Sequence, residues 1–103
     1  MSVPRNDMRP IHPGEILRKE YLVPLGMSAN VLAHAIGAPA NRVSLIVAGK
    51  RAVTADTALR LARALGTTPE FWLNMQQSYD LRLAETESAA NLRTVRRVVP
   101  VHK

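Results

Sequence analysis

The spacing of Ala33, Gly37 and Val43, four and then six residues apart, constrains this chain of 103 residues more than any other feature. Two helices that cross closely need a small residue in the first and a residue tolerant of positive φ in the turn between them. They also need an apolar residue in the second that points back into the core. Ala33, Gly37 and Val43 supply that set, and Ile46 extends the buried side. Ala-x-x-x-Gly alone is common in alanine-rich helices; with capping residues on both sides, the whole pattern predicts a helix-turn-helix.

Around this unit apolar residues recur at helical spacing, and proline and glycine divide them into segments. A first helix is expected to open at Pro13, run through Glu15, Ile16, Leu17 and Tyr21, and stop before Pro24-Leu25-Gly26. Ser28 caps a second helix through Leu32, Ala33 and Ile36, ended by Gly37. Pro39 restarts a third, with Val43, Ile46 and Val47 on one face and Asn41, Arg42, Ser44 and Leu45 elsewhere, ending near Gly49. Thr54 caps a fourth with Ala58, Leu61, Ala62 and Leu65 on one stripe, closed by Gly66. Thr68-Pro69 begins a fifth that carries Phe71, Trp72, Met75, Tyr79 and Leu83. The expected fold is therefore all-α, with five helices in one domain over residues 8–90. Residues 1–7 are expected to be flexible. The tail, residues 91–103, is rich in arginine and β-branched residues and reads as either a short edge strand or a disordered basic arm.

So short a chain buries a modest core and has no room for a large enclosed substrate cavity. Its net charge of +6 favours a polyanionic partner such as nucleic acid. Residues 28–66 hold five basic groups against Asp56 alone, residues 67–90 one against four acidic, and residues 91–103 four with none acidic. If the third helix enters a major groove, Asn41 offers an amide pair to adenine, Arg42 reaches guanine or phosphate, Ser44 donates or accepts, and Leu45 meets a thymine methyl. Lys50 and Arg51, just past Gly49, are placed to grip phosphate, and Ser28 and Thr54 add donors at the helix starts they cap. Each has a plainer reading: Arg42 as solvated helix face, Leu45 as surface or dimer contact, Ser28 and Thr54 as caps first. Phe71, Trp72, Met75 and Tyr79 read as core anchors ahead of a protein-contact stripe. The acidic residues beside them (Asp80, Glu85, Glu87) should face away from DNA and carry a dimer or other protein-contact surface. His12, His34 and His102 are far apart without carboxylates at ligand spacing, so no metal site is expected, and there is no cysteine. Without a Ser/His/Asp arrangement, phosphate loop or Cys nucleophile, an enzyme is the least expected class and no cofactor is called for. The apolar runs are too short for a membrane span and the N-terminus lacks a signal-like stretch, so a cytoplasmic location is expected.

Five segments, Met8-Arg-Pro-Ile-His-Pro-Gly-Glu-Ile-Leu17, Asn41-Arg-Val-Ser44, Gly49-Lys-Arg51, Thr54-Ala-Asp-Thr-Ala-Leu-Arg-Leu-Ala62 and Phe71-Trp-Leu-Asn-Met-Gln-Gln-Ser-Tyr-Asp-Leu81, together resemble the HigA/VapI antitoxins. These form part of the Xre, phage-repressor-like helix-turn-helix class, and the likeness spans roughly residues 8–85. The resemblance implies a lambda-repressor-like fold of five helices, a homodimer on an operator inverted repeat of double-stranded DNA, and autoregulation of its own operon. It also implies neutralisation of an mRNA-cleaving RNase toxin of the RelE-like fold. The family's DNA-contact role falls on Asn41, Arg42, Ser44, Leu45, Lys50 and Arg51, with Ser28 at the start of the second helix. Other classes compatible with the sequence are a stand-alone regulator of the same fold and a protein-interaction module.

Overall fold

In the computed structural model, which describes residues 9–100, every regular element is a helix. The segment expected to be flexible, residues 1–7, lies outside the described residues, as do 101–103 of the tail. The first helix, α1 (residues 13–25), opens with an α-turn at Pro13–Ile16, widens into a π-helical stretch at Leu17–Leu22 and closes with Val23–Leu25. It thus runs past the expected stop. Pro24 has no N–H to give the carbonyl one turn back, which normally breaks a helix. Here the backbone has already shifted to the wider register, Val23 N–H reaching the Arg18 carbonyl, and the helix continues to Gly26 in the left-handed region at φ 61°.

Next come α2 (Ala29–Ala35), α3 (Arg42–Val47), α4 (Ala55–Leu65), α5 (Pro69–Glu87) and a single turn, α6 (Ala89–Leu92), that the five-helix reading lacks. Ser28 and Thr54 cap α2 and α4 as expected, and Thr68 caps α5 in the same way: each side-chain oxygen accepts from the amide three residues on. The third helix starts later than Pro39, because residues 39–41 form a turn closed by Arg42 N–H on the Pro39 carbonyl. Among the described tail residues no strand forms; after α6, residues 93–100 are a turn followed by irregular chain.

The core gathers one face from each of the first five helices: Leu17 and Leu22 of α1, Leu32 and Ala33 of α2, Val43 and Ile46 of α3, Ala58 and Leu61 of α4, and Trp72 of α5. Trp72 is fully buried, with Tyr21 and Phe71 rings against it, and its indole N–H donates to the Thr67 hydroxyl at 2.7 Å. Phe71, by contrast, remains 38% exposed. The closest approach joins α1 to α3. A Cβ built on Gly14 falls against the carbonyl oxygen of Ile46 and within 2.6 Å of its carbonyl carbon, so only glycine lets the first turn of α1 lie directly on the α3 backbone.

Candidate nucleic-acid interface

The unit from Ser28 to Arg51 is two short helices joined and closed by the same device. At Gly37 and at Gly49 the chain turns left-handed (φ 69° and 76°), and paired amides return to the helix just ended: Gly37 to His34 and Ala38 to Ala33, then Gly49 to Ile46 and Lys50 to Leu45. Such a closure satisfies the last carbonyls and needs a residue without a Cβ penalty. Ala33, beneath the crossing, is fully buried, and Val43 and Ile46 hold α3 to the core.

That packing leaves one side of α3 outward. Asn41 and Ser44 are exposed; Ser44 Oγ donates to the Asn41 carbonyl at 3.1 Å, whereas the Asn41 amide takes no part in capping. Arg42 and Leu45 are half-buried. One guanidinium nitrogen of Arg42, Nη1, donates to Thr57 Oγ1 at 3.1 Å, and Thr57 also receives the Thr54 hydroxyl at 3.3 Å. Arg42 is therefore neither a free solvated cation nor spent, since that bond uses one of the five N–H donors of a guanidinium held at its tip. Lys50 and Arg51 stand exposed beyond Gly49. At the other end of the unit, an open groove lined by Arg18, Ser28 and Val47 joins the start of α2 to the end of α3. The structure thus gathers Asn41, Arg42, Ser44 and Leu45 on α3, links Arg42 to the Thr54 cap, and sets Lys50 and Arg51 on the following loop.

Four supporting residues escaped the sequence reading. Arg60 of α4 donates Nη1 to the Ile36 carbonyl at 2.9 Å and to that of Gly37 at 3.4 Å, and its Nε pairs with Asp56 at 2.9 Å. It thereby ties the end of α2 to α4. Gln76 of α5 is buried and accepts the Val53 N–H at 2.8 Å. His12 is buried too: its Nδ1 accepts from Gly14 N–H at 2.9 Å, capping α1, while the ring lies edge-on to Tyr79. Burial pushes the His12 pKa below the ordinary imidazole value; Asp80, the Arg51 backbone and Glu15 pull the other way without prevailing. The fourth is Gly14, whose place beneath α3 only the fold reveals.

Charge around the outward face is set by pairing. Asp56 is engaged with Arg60, and Glu15 with Arg9 at 2.7 Å, which lowers the Glu15 pKa. The exposed Lys50 and Arg51, with the half-buried Arg42 beside them, are left to dominate. Among the described residues no three His, Cys, Asp or Glu groups gather as a metal site, and no helix is long and apolar enough to cross a membrane.

Comparison with known proteins matches this geometry to one family. The helix-turn-helix family profile matches residues 19–72. Virulence-associated protein I of Dichelobacter nodosus is 53% identical over 89 residues, covering 84% of this chain and 82% of that protein. The solved antitoxin GraA in complex with its operator is 49% identical, with a TM-score of 0.84 over 90% of this chain and 95% of that one. Pseudomonas aeruginosa antitoxin HigA with the higBA promoter is 38% identical, with a TM-score of 0.84 over 88% and 100%.

Proposed function

As the chain belongs to the Xre-type helix-turn-helix family, in its HigA/VapI antitoxin branch, we propose that it is a non-enzymatic, sequence-specific repressor of its own operon and the antitoxin of a type II toxin–antitoxin pair. The observation that carries this reading is the outward edge of α3. Asn41 and Ser44 are exposed and the Asn41 amide is not spent on a cap, Arg42 is held by one guanidinium nitrogen, and Lys50 and Arg51 follow within one tight turn. Ser28 and Thr54 add phosphate donors at the starts of α2 and α4. That two relatives of the same fold were solved with an operator and a promoter supports the DNA partner.

The finer assignment is a homodimer on an inverted repeat, acting in the cytoplasm where that DNA lies, with an mRNA-cleaving toxin of the RelE-like fold as second partner. Two α3 helices one helical turn of DNA apart match a palindromic site through their own two-fold symmetry. Footprinting the purified protein on the DNA upstream of its own coding sequence tests the core reading. Protection of two half-sites about 10 base pairs apart is expected. Uniform protection, or none at low salt, sinks it. For the second partner, the product of a neighbouring small basic reading frame should co-purify with this chain and lose RNase activity in the complex; retained activity removes the antitoxin role and leaves the repressor.

A further inference from the structure

The loop that follows α3 presents Lys50 and Arg51 to solvent, yet its backbone is held from beneath at both ends. At its start the Lys50 amide returns to the Leu45 carbonyl. At its far end Gln76, from the middle of α5, accepts the Val53 N–H at 2.8 Å. That grip is not left loose. Gln76 Nε2 donates to Asp80 Oδ1 at 3.0 Å, which turns its carbonyl toward Val53. The Gln76 side chain is buried, so it has no surface to offer a ligand.

We propose that Gln76 is a positioning residue for DNA binding: it holds the loop backbone at Val53 so that Lys50 and Arg51 meet phosphates at a set distance from α3. The inference rests on the DNA-binding reading above. A cationic loop already fixed in place loses little conformational freedom on binding, whereas a loose one pays that entropy at each encounter. The grip therefore acts on phosphate contacts and leaves base reading by Asn41 alone.

The test is the dependence of binding on salt, measured on the protein's own upstream duplex and on a scrambled duplex of the same length. Each phosphate contact contributes about 0.9 to the slope of log affinity against log salt. Gln76→Met keeps the length of the side chain and removes its acceptor. Its slope is expected to be shallower by about 1 on both duplexes, with the ratio of affinities between them unchanged. Asp80→Ala, at an exposed position, frees the Gln76 amide without disturbing the core and should shift the slope the same way. Asp80→Asn, which keeps an acceptor, should leave it at the wild-type value. In a chain already carrying Lys50→Ala and Arg51→Ala, adding Gln76→Met should change the slope no further. An unchanged slope in folded Gln76→Met or Asp80→Ala, or an equal loss in the chain without those charges, overturns the proposal while wild-type binding stands. Failure of the wild-type chain to bind either duplex overturns the DNA-binding reading and this inference together.

Discussion

Gly14 shows how much can turn on one absent methyl. An added Cβ would meet the Ile46 carbonyl group, which is backbone and cannot swing aside, so α1 must lift from α3. Gly14→Ala is expected to cost about 1–3 kcal/mol, the usual range for overpacking a tight contact, read as a lower denaturant midpoint at unchanged m-value. A midpoint equal to wild type would show that the two helices tolerate a wider spacing. At the outward face, Asn41→Ala should relax preference at one base pair by about 1–3 kcal/mol if its contact is bidentate. Lys50→Ala should weaken all sequences alike. Equal losses for Asn41→Ala on specific and scrambled DNA would remove its reading role. The outward residues were legible because exposure on a short amphipathic helix follows from the positions of Val43 and Ile46. Gly14, Arg60 and Gln76 were not, because each acts on a backbone group distant in sequence: Arg60 and Gln76 look like ordinary polar residues of a helix surface, and only the fold brings Ile36 and Val53 to them.

Among the elements, α2 and α4 follow the expected pattern closely, and α3 ends as expected though it starts at Arg42 and not at Pro39, since caps and left-handed glycines act locally and leave their signature in the residues themselves. The first helix departs from it for a reason of period. Leu17 and Leu22 are both buried, yet five residues place them about 140° apart on an α-helix, at about 100° per residue. A helical period of 3.6 therefore selects Leu17 with Tyr21 and passes over Leu22; the π-helical stretch is what turns both leucines inward. Between α2 and α3, the Arg60 clamp predicts a local effect. Arg60→Met keeps an apolar stem and removes the donors to Ile36 and Gly37, at a cost on the order of 1 kcal/mol for so exposed a group. Faster amide exchange is expected at Gly37 and Ala38. Unaltered protection there would mean that the turn stands without the clamp.

Taken whole, the described residues bury one ionisable side chain, His12, beneath the interface. His12 is neutral in the folded state and its pKa is lowered by burial, so the unfolded chain binds a proton that the folded one rejects. Its contribution to stability is complete above about pH 6.5, the ordinary imidazole value, and is lost as pH falls through that region toward the lowered folded value. Urea melts at neutral pH and near pH 5 should therefore show a fall in midpoint. His12→Asn, which retains a capping acceptor but cannot titrate, should narrow that gap; an undiminished gap would assign the pH dependence to carboxylates alone. The shortness of α2 and α3, seven and six residues, has a broader consequence. Helices of that length do not persist in water without tertiary support, and here the support comes from Gly14, Arg60 and Gln76 on three other helices. The reading unit is consequently not portable: grafted onto another scaffold by its exposed residues alone, it would carry the alphabet of recognition without the hand that holds it still.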